Sequence, residues 1–383
     1  MKIDTLGFEG AHWRIDTAEI DDRSACQLVT LFGDSAILRG APYFEEMRAL
    51  YPNAHIIGAS SSGNIQGAAI SACPAVAAAV SFEQGSVAVS RMDFSSGDDI
   101  QALAAELIDA LPAEGLKHIF LLSDGLNLNG SELVRGVNQA AGGIPVSGGL
   151  AGDGDRFEQT WVIADAPARQ NRVVALGLYG DNLIISTGCH GGWSPFGAER
   201  LVTRSDGNVL YELDHQPALE LYKTYLGEFA ADLPNSGMRF PLEVYPDGDN
   251  RHTVTRTLLA IDEAANSITF AGDIPKGHIA KLMKPDIDQL IEGAAEAARA
   301  IDNANRQSAL GLVVSCVGRR VVMRQIVEEE LEEVEEILGD NVKLVGFYSY
   351  GEIAPFNDRP EQCQLHNQTM TLTAIYEQPG PTK

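Results

Sequence analysis

The chain has 383 residues, and its 28 Lys and Arg against 53 Asp and Glu give a formal net charge of −25. This charge repels phosphate backbones and anionic lipid head groups, because both are bound mainly through lysine and arginine. Nucleic acids and membrane surfaces are therefore not expected as partners. A single hydrophobic core rarely exceeds about 250–300 residues, so this length predicts two domains.

Five cysteines are scattered along the chain without any C-x-x-C pair, at positions 26, 73, 189, 316 and 363. This spacing favours reduced thiols over a disulfide framework or a zinc ribbon. The N-terminus lacks the apolar segment of a secretory signal. The longest uncharged stretch, residues 56–82, contains Asn64, Gln66 and Pro74 and reads as a buried strand region. We therefore expect a cytoplasmic protein.

The first half of the chain alternates short apolar runs with helical periods. Residues 1–25 are polar and predict an N-terminal arm. Pro42 opens a short helix, Asp98 and Gln101 resemble a capping box for a second, and residues 131–141 predict a third. Strands rich in Val, Ile, Leu and Ala are expected at 26–32, 54–59, 76–82, 86–92, 117–123, 144–148, 158–164, 172–179 and 182–189.

The second half repeats this alternation. Helices are predicted after Pro217, after Pro285 and over 320–338, where a run of glutamates forms a solvated face. Strands are expected at 198–204, 207–213, 242–246, 252–261, 267–271, 310–316, 342–347 and 367–376. Residues 228–241 have the Pro, Gly and Asn content of a connection. They divide the chain into an N-terminal domain over 26–227, a C-terminal domain over 228–377 and a disordered tail over 378–383.

Two internal similarities suggest a duplication. Residues 119–153 and 310–352 each read strand, helix, strand, then glycine followed by a carboxylate. Residues 56–65 and 344–353 share the pattern G-x-x-S-x-G-x-I. Repeated strand–helix–strand units predict an α/β fold in which helices cover mixed sheets.

The glycine-rich segment VSGGLAGDG, residues 146–154, could offer backbone N–H groups to an anion and the Asp153 carboxylate to an amine. The alternative is a tight loop between strands, since neither a Rossmann fingerprint nor a P-loop is present. Tyr350 and its neighbours lack the glycine and the following helix of a nucleophile elbow, and residues 353–355 read as irregular chain. Cys316 and Arg319 lie at a strand-to-helix junction, which suits a reactive thiol or a carboxylate-binding site, or else a buried, inert cysteine.

For metals, the sequence has no C-x-x-C-H and no H-x-x-x-H pair, although a haem needs only one axial ligand and an apolar cleft. His190 precedes two glycines and Trp193, which leave space and supply an apolar wall. His366 lies in a more polar setting. If haem binds, His190 is therefore the first candidate ligand and His366 the second.

The chain resembles the FIST family of intracellular signal-transduction input domains over roughly residues 26–377. In the N-terminal half the resemblance is carried by IGASSSG (57–63), SDG (123–125) and GGLAGD (148–153). In the C-terminal half it is carried by FAGDIP (270–275), SCVGR (315–319), GFYSYGEIAP (346–355) and LHNQT (365–369).

This resemblance implies a non-enzymatic small-molecule sensor, for which amino acids have been proposed as ligands, signalling to a separate partner such as a histidine kinase. Stand-alone bacterial members also resemble a haem-binding, nitric-oxide-sensing branch that regulates a histidine kinase. A thiol- or serine-dependent enzyme is the remaining alternative. We expect a ligand cleft between or within the two halves, with Asp153 and Glu352 in one site. The predicted ligand-binding residues are Ser61, Asp124, Gly149, Asp153, Cys316, Arg319, Tyr350, Glu352 and Asn367.

Overall fold

The computed structural model describes residues 1–40, 42–302 and 308–378. In this part of the chain, three six-stranded sheets and one nine-stranded sheet are covered by eight α-helices. The mixed α/β fold predicted from the sequence is confirmed. None of the described helices combines the length and the apolar composition needed to cross a bilayer. Residues 379–383 of the predicted tail lie outside the described residues.

The strands are β1 (Lys2–Glu9), β2 (His12–Thr17), β3 (Leu28–Gly33), β4 (His55–Ser60), β5 (Asn64–Gln66), β6 (Ala69–Ile70), β7 (Ala75–Ser81), β8 (Ser86–Asp93), β9 (Leu116–Ser123), β10 (Val146–Leu150), β11 (Val162–Ala164), β12 (Arg172–Tyr179), β13 (Leu183–His190), β14 (Ser194–Pro195), β15 (Arg200–Asp206), β16 (Val209–Leu213), β17 (Gln216–Pro217), β18 (Leu242–Pro246), β19 (Val254–Arg256), β20 (Leu258–Asp262), β21 (Ser267–Phe270), β22 (His278–Lys284), β23 (Ala309–Cys316), β24 (Val342–Ser349), β25 (Gly351–Phe356), β26 (Arg359–His366) and β27 (Met370–Glu377). The α-helices are α1 (Ser35–Gly40), α2 (Tyr43–Leu50), α3 (Ile100–Asp109), α4 (Gly130–Ala140), α5 (Ala218–Leu226), α6 (Ile287–Arg299), α7 (Val317–Met323) and α8 (Glu329–Leu338).

Three segments of the chain follow the same path, and we call them units 1, 2 and 3 (residues 2–81, 86–179 and 183–377). Each has a first strand, a parallel pair joined by a helical crossover, and a return strand antiparallel to both the first strand and the leading member of the pair. In unit 1 these are β1, β3, β4 and β7. In unit 2 they are β8, β9, β10 and β12. In unit 3 they are β13, β23, β24 and β27.

The units exchange strands in a ring. After its parallel pair, unit 1 sends β5 to β24 of unit 3, unit 2 sends β11 to β4 of unit 1, and unit 3 sends β25 to β10 of unit 2. A main-chain hydrogen bond marks each crossing. The three run from Ser62 N to Tyr348 O (2.8 Å), from Gly152 N to Ser60 O (2.9 Å) and from Tyr350 N to Leu150 O (3.1 Å). In each unit, the residue that donates to another unit lies two positions after the residue that accepts from another unit: Ser60 and Ser62, Leu150 and Gly152, Tyr348 and Tyr350. The units are therefore related by a pseudo-threefold axis.

A glycine recurs on the second strand of each parallel pair, four residues before the crossing amide. At Gly58, Gly148 and Gly346 an added Cβ would lie 1.9 Å from a carbonyl oxygen of the neighbouring strand. This close approach explains the first glycine of the pattern shared by residues 56–65 and 344–353. The similarity between residues 119–153 and 310–352 is offset by one position, because the crossing aligns Gly152 with Tyr350. Asp153 and Glu352 are therefore one position apart.

The three sheets pack their inner faces together. Phe32 of unit 1, Phe120 of unit 2 and Phe347 of unit 3 belong to one buried cluster, with the rings of Phe32 and Phe347 stacked at 4.7 Å. The outer faces are covered by α2 in unit 1, by α3 and α4 in unit 2, and by α6 and α8 in unit 3.

Unit 3 carries an insertion, residues 194–284, which we call the inserted lobe. It contains β14–β22 and α5 and has its own apolar cluster. The chain leaves and re-enters the three-unit core at one place, since a Cβ on Gly192 would lie 2.1 Å from the Gln289 carbonyl oxygen. The predicted boundary near residue 228 lies within this lobe.

Several predicted elements differ from the structure. Residues 1–25 are not an arm, because β1 and β2 join the sheet of unit 1. Asp4 makes this segment look polar but is fully buried, where it accepts hydrogen bonds from the N–H groups of Glu19 and Ile20 and from the Tyr51 hydroxyl. The predicted helix 320–338 is broken at Arg324, whose φ is +54°.

Two further differences concern element ends. Residues 353–355, expected to be irregular, lie in β25 between β10 and β26, where the exchange supplies pairing partners from another unit. Asp99 rather than Asp98 caps α3, since its carboxylate accepts the Ala102 N–H.

Candidate functional site

A cavity of about 630 Å³ lies between the three-unit core and the inserted lobe. The core contributes residues 125–130, which follow β9, and residues 316–318, which follow β23. The lobe contributes Met238, residues 257–259 and Phe270. The cavity therefore lies outside the carboxyl ends of the parallel strands, where open α/β sheets generally bind ligands.

Hydrogen bonds hold the core side of this cavity in shape. The fully buried Asp124 accepts from the backbone N–H groups of Leu126 (2.9 Å), Asn127 (3.0 Å) and Asn171 (2.9 Å). Asn129 then caps α4 by accepting the Ser131 N–H at 2.8 Å. Asp124, predicted to bind ligand, thus uses its carboxylate to shape the loop that lines the cavity.

An aromatic pair forms part of the wall. Tyr350 is 8% exposed, and its ring stacks on Phe157 with centroids 4.5 Å apart. The Tyr350 hydroxyl donates to the Gly154 carbonyl at 3.3 Å. Burial raises the pKa of Tyr350 to about 12, so the phenol stays neutral.

Cys316 also lines the cavity, and Arg319 lies one turn further along α7. Burial raises the pKa of the Cys316 thiol well above its ordinary value. Arg319 is fully buried and pairs with Glu330 at 2.8 Å. Its guanidinium also donates to the carbonyls of Leu290 (2.6 Å) and Gly191. The structure therefore uses Arg319 inside unit 3, away from the cavity surface.

Glu352 and Asn367 lie behind the wall. Glu352 is fully buried and accepts from Thr369 N (3.1 Å), Thr369 Oγ1 (3.0 Å) and the Ser349 hydroxyl. Burial raises its pKa to about 7. Asn367, also fully buried, lies 3.5 Å through its Oδ1 from the backbone nitrogen of Thr257, a cavity residue.

The remaining predicted site residues lie at the crossings. Asp153 is 2% exposed, pairs with Arg156 and accepts the Gln159 N–H at 3.1 Å. Ser61 accepts the Gly63 N–H at 2.9 Å. Gly149 pairs with Glu352 across β10 and β25. Cys316 and Tyr350 thus lie at the cavity, whereas Asp153, Ser61, Gly149 and Glu352 are not among its lining residues.

The two histidines considered for haem lie elsewhere. His190 is exposed at the end of β13. His366 is 5% exposed, its Nε2 lies 3.1 Å from the Ala354 carbonyl oxygen, and burial lowers its pKa to about 4. No histidine, lysine or arginine is among the described residues that line the cavity, so it offers neither an imidazole ligand nor cations for haem propionates. Cys316 and Tyr350 ligate haem iron only as anions, and burial raises the pKa of both, which disfavours that form. Among the described residues no group of three or more His, Cys, Asp or Glu could hold a metal ion. The residues do not fit a haem in this cavity.

Sequence reasoning missed the residues that the inserted lobe supplies. Asp273 docks the lobe on α4, since its carboxylate accepts from Asn129 Nδ2 at 2.9 Å and pairs with Arg135, while its N–H donates to Ser131 Oγ at 3.0 Å. The segment FAGDIP carries part of the family resemblance, but its sequence does not indicate this docking role for Asp273. Thr257 lies in a region predicted as strand, and no local pattern indicates that it faces a cavity.

Two family models together match most of the chain. The FIST N domain model matches residues 27–216 and the FIST C domain model matches residues 218–355. An uncharacterized protein of Methanocaldococcus jannaschii is 26% identical over 263 residues, covering 61% of this chain and 49% of its own. An uncharacterized protein of Mycobacterium tuberculosis is 26% identical over 249 residues, and the match covers 61% of this chain and 62% of that protein. The chain thus spans about half to three fifths of the length of these curated relatives.

Two solved structures align over nearly the whole chain. Cyanuric acid hydrolase from A. caulinodans covers 93% of this chain and 91% of its own, with a TM-score of 0.34 and 7% identity. The match to a chorismatase covers 94% of this chain and 96% of the chorismatase chain, with a TM-score of 0.33 and 9% identity. The family models, in contrast, account for nearly all residues from 27 to 355, and so the chain belongs to the FIST family, which is associated with signal-transduction sensing.

Proposed function

We propose that this protein is a non-catalytic sensor that binds a small molecule in the cavity and reports its presence to a separate signalling protein. The observation that carries the proposal is the composition of the cavity wall. Core residues 125–130 and 316–318 face lobe residues 257–259 across about 630 Å³, a volume typical of small-molecule sites. A ligand that contacts both sides links the lobe to the core.

Ligand binding produces a signal only if it favours one arrangement of the protein over another. Some of the polar contacts between the lobe and the core lie beside the cavity, including Asp273 with Asn129 and Gln368 Nε2 with the Met238 carbonyl at 3.1 Å. A ligand seated next to these contacts changes how the lobe rests on the core. The proposed output is therefore the lobe orientation.

The chemistry of the wall supports binding over turnover. Cys316 and Tyr350 are the ionisable side chains among the described lining residues. Burial raises the pKa of both, which leaves a neutral thiol and a neutral phenol near pH 7. A thiol is a poor nucleophile unless it ionises, and a general base needs a pKa near the working pH. A thiol- or serine-dependent enzyme is therefore the weaker alternative.

The recipient of the signal is part of the proposal. The family resemblance supports a histidine kinase or another signalling protein, and the chain's charge of −25 favours a basic surface on that partner. The same charge disfavours nucleic acid as the recipient.

A thermal-unfolding screen of purified protein against a library of small metabolites tests this function. A cavity ligand at one hundred times its Kd stabilises the wild type by about 2.7 kcal/mol and raises its Tm. Ala271→Phe, which fills the cavity from the lobe side, should abolish that shift. Ala264→Phe, at an exposed position of the same lobe, is the matched control and should keep it. A library without any stabilising member, or ligands that stabilise Ala271→Phe equally, would contradict the proposal.

A further inference from the structure

We infer that the cavity selects a small uncharged amide. Such a molecule has N–H donors and an apolar side chain, and it is neither an ion nor a zwitterion. This inference rests on the proposed function and names the chemical class of its ligand. It follows from three observations on the described residues. The lining side chains carry no charge, the nearest charged groups already have partners in the protein, and one buried hydroxyl group has none.

The described lining residues include no Asp, Glu, Lys, Arg or His, in a chain with 81 residues of the first four types (28 + 53). The polar side chains that do line the cavity are neutral: Asn127, Asn129, Asn208, Asn235, Thr257 and Tyr350. A carboxylate or ammonium group that entered this space would lose its hydration and would meet no side chain of opposite charge. The wall therefore disfavours free amino acids, which carry both groups.

The charged residues just outside the wall are already engaged by the protein. Both oxygens of Asp124 accept backbone N–H groups. Asp273 pairs with Arg135 and Asn129. The buried Arg256 donates to the carbonyls of Leu365 (2.9 Å) and Asp273 (3.0 Å). None of these three groups can turn to a ligand without breaking a contact that it makes within the protein.

Thr257 supplies the observation that points to a ligand. The residue is 7% exposed and lines the cavity, and its Oγ1 has no hydrogen-bond partner among the described residues. An unpaired buried hydroxyl costs free energy, and a ligand amide that reaches it through a rotation of the Thr257 side chain would satisfy it with either its N–H or its carbonyl group.

Two asparagines indicate which groups the ligand brings. Asn208 Nδ2 donates to the Phe270 carbonyl at 2.7 Å, and Asn127 Nδ2 donates to Asp124 at 3.3 Å. Each side chain uses one of its two amide N–H groups within the protein, so it can still offer the second N–H group and its acceptor oxygen. An amide on the ligand matches this pair, because it supplies both an N–H donor and a carbonyl acceptor. The apolar part of the ligand would pack on Met238 and Leu258.

A charge series on one side chain tests the inference. N-acetyl-L-leucinamide is neutral, L-leucine is a zwitterion, L-leucinamide is a cation near pH 6 and N-acetyl-L-leucine is an anion. Isothermal titration of each compound into the full-length protein gives four affinities for one apolar group. We expect the neutral compound to bind at least about tenfold more tightly than any of the other three.

Three variants locate the binding. Ala271→Phe should abolish binding of N-acetyl-L-leucinamide, and Thr257→Val should weaken it about tenfold. Thr269→Val, a matched change in the same lobe outside the cavity wall, should leave the affinity unchanged. Tightest binding by a charged compound that Ala271→Phe abolishes would overturn the inference but keep the cavity as the sensor site. Binding of the neutral compound that survives Ala271→Phe, or no binding by any of the four, would also overturn it.

Discussion

The Glu352 carboxyl group has no counterpart in the other two units. Counting from the crossing amides of Ser62, Gly152 and Tyr350, the equivalent residues are Asn64 and Gly154. Glu352 is fully buried, and its carboxyl group is met by the donors of Ser349 and Thr369. Burial still dominates and raises its pKa from 4.5 to about 7. The protein thus carries a buried acid that titrates near neutrality.

Stability should fall with rising pH because of this residue. The unfolded chain releases the Glu352 proton near pH 4.5 and the folded chain near pH 7, so between these values the folded state binds more protons. The free energy of unfolding should therefore drop by up to about 3 kcal/mol across this window. Glu352→Gln removes the titration, and urea unfolding near pH 4.5 and near pH 8 measures the difference. Parallel pH profiles for wild type and variant would show that Glu352 is ionised in the folded state at both values.

At the level of single residues, two of the sequence motifs share a segment with the cavity wall. Cys316 and Tyr350 lie in SCVGR and GFYSYGEIAP, and both line the cavity. Thr257 could not be predicted, because it reaches the core only when a lobe inserted into unit 3 folds over the β9–α4 loop. Arg319 looked available in the sequence, since its buried partner Glu330 lies in a run of glutamates that reads as solvated.

At the level of elements, the parallel pairs are constrained by backbone contact. Gly58 and Gly346 lie where the neighbouring strand leaves no space for a methyl group, with 1.9 Å between an added Cβ and the carbonyl oxygens of Leu31 and Val313. The strand must bend or shift to accept a side chain there.

Replacing either glycine by alanine should therefore destabilise the protein severely. We expect Gly58→Ala and Gly346→Ala each to lower the free energy of unfolding by about 3 kcal/mol. Gly40→Ala is the control, because no atom lies within 4 Å of the added methyl group, and its effect should stay below about 1 kcal/mol. Urea denaturation measures all three. Equal, small effects would contradict the close packing of the parallel pairs.

Elements with a strong local pattern were predictable, and elements defined by their partners were not. The strand expected at 172–179 is β12 to the residue, and Pro217 indeed precedes α5. β25 was missed because its segment contains Pro355 and takes its pairing from β10, more than 200 residues earlier in the chain. Local sequence carries no information about such a partner.

At the scale of the whole molecule, the division into two halves and the division into three units describe different things. The family models meet near residue 217, whereas the strand pairing repeats three times, with the lobe inserted in the third unit. The pairwise similarity of residues 56–65 and 344–353 was visible in the sequence. The third copy was hidden, because Leu150, Ala151 and Gly152 replace the serines and tyrosines of the other two crossings.

The ring of crossings predicts a shared pattern of amide exchange. The N–H groups of Ser62, Gly152 and Tyr350 each donate to a carbonyl of another unit, so none can exchange unless two units separate. We expect the three amides to exchange at similar, slow rates, and Gly58→Ala to accelerate all three together. Hydrogen–deuterium exchange with residue resolution measures this. One amide that exchanges at the rate of an exposed loop while the others stay protected would contradict a closed ring.

The exchange of strands also determines when the protein can complete its fold during synthesis. β5 leaves the ribosome early, but it pairs through Ile65 with Gly346, which is 281 residues later (346 − 65). Until β24 emerges, one edge of β5 has no pairing partner, although its other edge can pair with β6. Exposed strand edges of this kind are where nascent chains misassociate. Contacts this distant in sequence also slow folding. The order of translation therefore makes the synthesis of unit 3 the step that closes the ring of strand exchanges.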